Sequence, residues 1–133
     1  MNLSVGMTGR VTRVVTEDDT AIELGSGDVP VLATPRLLAW AEAATVAAVA
    51  DALDPKTTTV GSRVEFEHRA ACAVGARVVV AAEIVAIDEK LLHFAVVASD
   101  ANGDTLASGE VVRVLVDRDR FLARVQTPVV ERG

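Results

Sequence analysis

The sequence predicts an α+β fold in which a strongly curved antiparallel sheet wraps around one long central helix. Three features predict it. The stretch ATPRLLAWAEAATVAAVADAL, residues 33–53, is apolar on nearly every side, so a helix made of it needs cover from more than one direction. From residue 60 onward, four β-branched runs are rich in alternation with a period of two, the pattern of strands with one buried face. Turn signals separate these runs, Asn102-Gly103 among them, and Asn-Gly between two such runs marks a hairpin and hence antiparallel pairing.

Taken in order, residues 5–15 read as a strand, with Gly6 and Gly9 as bulge or bend points. TEDDT is a turn, residues 21–24 form a short second strand, and GSGDVP, residues 25–30, is a Gly/Pro loop. Thr34-Pro35 then starts the helix, with threonine at the N-cap and proline at the first helical position. The helix runs to about Leu53, where Asp54-Pro55 ends it. Strands follow at 60–70, 77–87, 91–99 and 105–116, punctuated by Gly75, Asp88-Glu89-Lys90 and Asn102-Gly103. No repeat or linker interrupts the 133 residues, which are expected to form one domain, with roughly 126–133 as a loose tail. Strand, short strand, long helix and four strands in hairpin succession make the hotdog fold, which commonly pairs as a homodimer so that two sheets become continuous.

Composition narrows the function. Half of the residues are hydrophobic and 24% are charged, so a packed core is expected. The net charge of -6 argues against a general nucleic-acid binder, although it leaves room for a local basic pocket that takes a phosphorylated ligand. Arg36, Glu42 and Asp51 interrupt the apolar stretch, which favours a buried helix of a soluble protein over a membrane span. No signal-peptide pattern is evident at the start. The single cysteine, Cys72, allows no intramolecular disulfide and fits a reducing cytoplasm.

Glu42 is the first candidate for chemistry, because its neighbours Leu38, Ala39, Ala41, Ala43, Thr45 and Val46 offer little polar company. A buried carboxylate resists ionisation unless a donor is supplied, and carboxylates so placed are candidates for bases or nucleophiles. The competing reading is that Glu42 reaches a solvent edge or pairs with Arg36 or another arginine. His68 is the second candidate: in VEFEHRA, alternation sets Val64, Phe66 and His68 on one face, towards the helix. An inward histidine is more often a hydrogen-bonded core residue, but imidazole titrates in the useful range. Thr34 caps the helix, and the helix N-terminus beside it suits a developing oxyanion. Cys72 lies four residues from His68, roughly 13 Å along a strand, too far for a Cys–His pair within it. His93 falls opposite Leu92, Phe94 and Val96 and reads as a surface or sheet-packing residue. Two histidines and one cysteine at these spacings match no metal site, and no Gly-rich phosphate loop precedes a helix.

Thr34, Glu42 and His68, with Gly61 ahead of the histidine, resemble the fluoroacetyl-CoA thioesterase group of hotdog proteins. Gaps of eight and 26 residues separate the three, and ATP before the helix and VGSRVEFEH around the histidine extend the match. The resemblance implies hydrolysis of a short acyl-CoA thioester by a threonine, a glutamate and a histidine. It implies no cofactor beyond the coenzyme A of the substrate, and Gly61 as a place where the acyl group approaches backbone closely. One departure stands out: AIELGSGDVPVLA lacks the phenylalanines of the family's lid, which argues against fluoroacetyl selectivity. Other readings are a hotdog enoyl-thioester hydratase and a non-catalytic acyl-CoA-binding module. Arg69, Arg77 and Arg113 are candidates to meet the phosphates of coenzyme A, but arginines on strand surfaces are usually just solvated, and the three are left out of the site. Eight helical residues span about 12 Å, so Thr34 and Glu42 are not expected to touch. Either Thr34 hangs back from a loop, or the site is assembled across a dimer interface; the second is favoured, and with it the expectation that Thr34→Ala and His68→Ala subunits complement each other.

Overall fold

The computed structural model describes residues 2–125. Strand β1 spans Thr8–Val14, and a one-turn helix α1 spans Ala21–Leu24. The long helix α2 spans Thr34–Val49, and strands β2 (Thr57–His68), β3 (Arg77–Asp88), β4 (Leu91–Ser99) and β5 (Thr105–Asp117) follow. A short helix, α3 (Arg118–Arg124), comes last. The five strands form one antiparallel sheet in the order β1-β3-β4-β5-β2.

The predicted alternation decides which face is buried. Val78, Val80, Ala82 and Ile84 of β3, with Leu92, Phe94, Val96 and Ala98 of β4, turn inward and pack with Leu37, Trp40, Ala41, Ala44 and Ala48 of α2. Register shifts between Gly61 and Arg63 and between Ile84 and Ala86 are the irregularities that bend strands, so they help the sheet to curl. Gly9 is a contact glycine and no bulge: a Cβ there would collide with the backbone of Ala44 and Ala48, so β1 crosses α2 at backbone distance. The Asn102-Gly103 turn is present, with Gly103 at φ 84 and the Asp100 carboxylate accepting from the amides of Asn102 and Asp104. This is the hotdog arrangement.

Other local expectations fail for identifiable reasons. Residues 21–24 form helix α1 and no strand, because the Thr20 hydroxyl accepts from the Glu23 amide and Gly25 closes the turn at φ 70. Helix α2 begins one residue early: Ala33 is its N-cap, Thr34 its first residue, and no side chain caps it. Its end also differs slightly, since α2 passes into a 3-10 turn over Ala50–Ala52. The expected tail at 126–133 lies outside the described residues.

The helix is covered less completely than its composition suggests. Ala39, Val46 and Ala47 are exposed and Glu42 is half-buried, so one face of α2 stays open. Strand β2 pairs with β5 on one side and with no described strand on the other. No helix among the described residues is long and apolar enough to cross a membrane.

Candidate functional site

The four residues singled out by the sequence fall into two pairs. At the start of α2, Thr34 Oγ1 is hydrogen-bonded to His68 Nδ1 at 2.8 Å. Because Ala33 is the cap, the Thr34 hydroxyl is free to make this bond. His68 lies on the inward face of β2, as the alternation predicts, in register with Ala107 of β5. Its Nε2 is buried and has no hydrogen-bond partner among the described residues. Two tautomers satisfy the pair: the Thr34 hydroxyl donates to Nδ1, or Nδ1–H donates to the hydroxyl and leaves Nε2 as a base. A cavity of about 380 Å³ adjoins the pair; Val29, Val31, Leu32 and Pro35 line it beside Thr34 and His68, and no phenylalanine, tyrosine or tryptophan does.

Glu42, two turns further along α2, meets different company. Its Oε2 accepts from Arg113 Nη1 at 3.3 Å. Arg113 is buried, with 7% exposure, and is held by two further bonds, Nε to Thr59 Oγ1 at 2.8 Å and Nη2 to the Thr59 carbonyl at 3.0 Å. Burial pulls the Arg113 guanidinium below its usual range, and the Glu42 carboxylate offsets part of that pull. It remains a cation, since arginine does not lose its proton in proteins. Glu42 is therefore no isolated buried acid: its side chain is 38% exposed and a donor is supplied. An arginine partner for Glu42 is observed, and its carboxylate stays half-exposed. Arg36 is not that arginine: its guanidinium is ion-paired with Asp19, Nε lying 3.1 Å from Oδ1.

Arg113 is the residue that sequence reasoning missed. Its signal was an arginine inside the apolar run VVRVLV. The run is obscured because Val111, Val112 and Arg113 are all buried, and because the shift at Ser62 breaks the parity of β2 against β5. Gly61 pairs with Arg113 across that register and faces Glu42: a Cβ on Gly61 would sit 2.6 Å from Glu42 Oε2. Gly61→Ala is expected to fold with little loss of stability, because the atom in the way is the free end of a side chain. It should displace the Glu42 carboxylate from Arg113 and lower kcat by roughly 10²-fold, the usual effect of a misplacement of about 1 Å. A thermal melt alongside steady-state kinetics checks both halves; a melt that collapses, or a kcat that holds, goes against this role for Gly61.

One chain does not bring the two pairs together. Thr34 and Glu42 are separated by about 12 Å of helix, and Gly61 and His68 by roughly 23 Å of strand. His93 stands apart, its Nδ1 3.1 Å from Glu110 Oε1 on the outer face. Cys72 is buried, and burial followed by the charge of Asp100 pushes its thiol upward, away from the thiolate a nucleophile requires.

The chain resembles known proteins in sequence and in fold. The family model described as fluoroacetyl-CoA-specific thioesterase matches residues 15–119. The chain is similar to the solved structure of the fluoroacetyl-CoA thioesterase FlK, at 29% identity and a TM-score of 0.87, covering 96% of this chain and all of that one. It is also similar to a hypothetical protein of Thermus thermophilus described as a thioesterase superfamily member, at 25% identity and a TM-score of 0.85, over 92% of this chain and 90% of that one. A hot-dog-like protein from Thermanaerovibrio acidaminovorans shares the fold, at 22% identity and a TM-score of 0.81, over 90% of this chain and 88% of that one. Variants of FlK have been solved with acetyl-CoA and with fluoroacetate and CoA. No curated protein matches the chain.

Proposed function

The chain belongs to the fluoroacetyl-CoA-specific thioesterase family, and from that premise we propose that it hydrolyses short acyl-CoA thioesters to the free acid and coenzyme A. The observation that carries the reading is the presence of two incomplete, complementary clusters. Thr34–His68 offers a hydroxyl and an imidazole with an unpartnered Nε2. Glu42–Arg113 offers a carboxylate fixed by a buried cation over a glycine. Neither suffices alone for acyl transfer, which requires a nucleophile or base, a group for the developing oxyanion and a proton for the leaving thiolate.

A homodimer supplies the missing half. The free edge of β2 lies beside the open face of α2 that carries Ala39, Glu42 and Val46. Antiparallel pairing of two β2 edges about a twofold axis between Gly61 and His68 sets the Glu42 cluster of one protomer against the Thr34–His68 cluster of its partner. There Glu42 delivers the nucleophile, as its own carboxylate or as water that it deprotonates. Thr34, its hydroxyl accepting from His68 Nδ1–H, and the N-terminus of α2 steady the carbonyl oxygen as charge builds; coenzyme A leaves as the thiolate, which takes up the proton released by the attacking water. Arg113 holds the Glu42 carboxylate aimed past Gly61, where the acyl group has backbone-close access.

The reaction needs no cofactor beyond the coenzyme A of the substrate, and the free cysteine fits a cytoplasmic setting. Fluoroacetyl selectivity is not expected, since no bulky aromatic lines the cavity beside His68. Thiol release measured over short, branched and aromatic acyl-CoAs tests the reading: free thiol is expected from several short acyl-CoAs. Water addition to an enoyl thioester, or thermal stabilisation by acyl-CoA without release, would replace it by the hydratase or the binding-module reading.

A further inference from the structure

Strand β2 opens on three consecutive threonines, Thr57, Thr58 and Thr59, and of these only Thr59 is buried, at 8% exposure. Valine is an ordinary occupant of a buried strand position and has the shape of threonine. A hydroxyl in place of its methyl group therefore needs a partner. It has one, since Thr59 Oγ1 accepts from Arg113 Nε at 2.8 Å. The carbonyl of the same residue accepts from Arg113 Nη2 at 3.0 Å. Thr59 is in register with Leu115 of β5, two residues beyond Arg113, the diagonal relation that long side chains span across a sheet.

Two acceptors on neighbouring nitrogens grip the guanidinium along its Nε–Nη2 edge. The group is planar and rigid, so a fork of this kind fixes both its place and its orientation. The remaining nitrogen, Nη1, is then presented to Glu42 Oε2, 3.3 Å away. A Cβ on Gly61 would lie 3.6 Å from that nitrogen and 2.6 Å from Oε2, so the ion pair sits over the glycine. The fork is also neutral. Arg36 and Arg69 are met at Nε by carboxylates, those of Asp19 and Glu67, whereas Arg113 meets a hydroxyl and a carbonyl. A carboxylate in that position would compete with Glu42 for the same positive charge. Threonine leaves the charge to Glu42.

We propose that Thr59 is a positioning residue, clamping Arg113 so that Nη1 holds the Glu42 carboxylate in its working place over Gly61. This rests on the reading of Glu42 as the group that attacks the thioester or deprotonates water. Among the described residues, Glu42 and Thr59 are the hydrogen-bond partners of the Arg113 guanidinium, so Thr59 reaches the chemistry through Arg113. Losing the hydroxyl leaves the guanidinium held by the Thr59 carbonyl at one nitrogen. A single bond permits rotation that a fork forbids, and the carboxylate moves with the cation.

The experiment compares Thr59→Val and Thr59→Ser, each made in the unaltered protein and in Arg113→Met, where an apolar chain replaces a buried cation, a change that folded proteins commonly accept. Thr59→Val is expected to lower kcat for a short acyl-CoA about tenfold, part of the roughly 10²-fold that a misplacement of about 1 Å costs. KM should move by less than about twofold, because binding of the ground state is untouched. Thr59→Ser keeps the hydroxyl and should hold kcat within about twofold. In the Arg113→Met background, Thr59→Val should lower kcat no further, since the residue through which it acts is gone. A purely structural role would lower the melting temperature of Thr59→Val and leave kcat unmoved; that result, or an undiminished loss in Arg113→Met, overturns the proposal. The NMR resonance of the Glu42 carboxyl carbon reads the clamp without turnover: Thr59→Val should displace it and Thr59→Ser should not. A resonance that stays in place in Thr59→Val also overturns the proposal. If the unaltered protein releases no thiol while the resonance moves as expected, the thioesterase reading fails and the clamp stands. Should Thr59→Val not fold, Thr59→Cys, whose thiol is a weak acceptor, serves in the same comparisons.

Discussion

Glu42→Gln is expected to abolish turnover while leaving the fold in place. The amide keeps the shape of the carboxylate and can still accept from Arg113 Nη1, while Arg113 keeps both of its bonds to Thr59. Stability should therefore change by no more than about 1 kcal/mol, as for a half-exposed ion pair. What is lost is the ability to attack or to deprotonate water. A general base contributes up to about 10⁴-fold, so kcat should fall on the order of 10³-fold or more, about 4 kcal/mol of barrier. KM should stay close to its original value, because the interaction removed belongs to the transition state. A variant that turns over at the original rate would remove Glu42 from the chemistry, and with it the pairing of the two clusters.

Subunits carrying Glu42→Gln and His68→Ala, each inactive by itself, should form an active mixed dimer. The proposed site takes its glutamate from one protomer and its histidine from the other. In the mixed dimer one site then receives both changes and the second receives neither. Tagged subunits purified as the mixed species should show about half the activity of the unaltered dimer, one intact site of two. The pairing of Thr34→Ala with His68→Ala, which the sequence suggested, should stay inactive. Thr34 and His68 meet within one chain at 2.8 Å, so both changes strike the same half of the site. If the Glu42→Gln/His68→Ala dimer is dead as well, the site lies within a single protomer and the interface model is wrong.

How far the sequence carried the fold can be judged element by element. The long helix, the curled antiparallel sheet and the inward faces of β3 and β4 followed from periodicity, because burial on one face forces alternation on every residue of a strand. The segment 21–24 did not. Four residues with apolar ends fit strand and helical turn equally, and what decided was a hydroxyl on Thr20 and a left-handed Gly25. The start of α2 was misread by one residue for a similar reason. Threonine before proline fits the cap position, but a cap is fixed by backbone dihedrals, and the extended residue is Ala33. That single shift frees the Thr34 hydroxyl for His68.

The sequence by itself determined which residue types were out of place: a glutamate in an apolar helix, a histidine on an inward strand face, a glycine within β2. It did so because composition and period report burial locally. Only the tertiary structure decided who meets whom. His68 goes to Thr34, while Glu42 goes to Arg113 above Gly61, because a register shift at Ser62 sets Arg113 across from Gly61. Contacts between residues 34 or 71 positions apart depend on strand order and register, which are properties of the whole sheet. No local pattern of side chains encodes them.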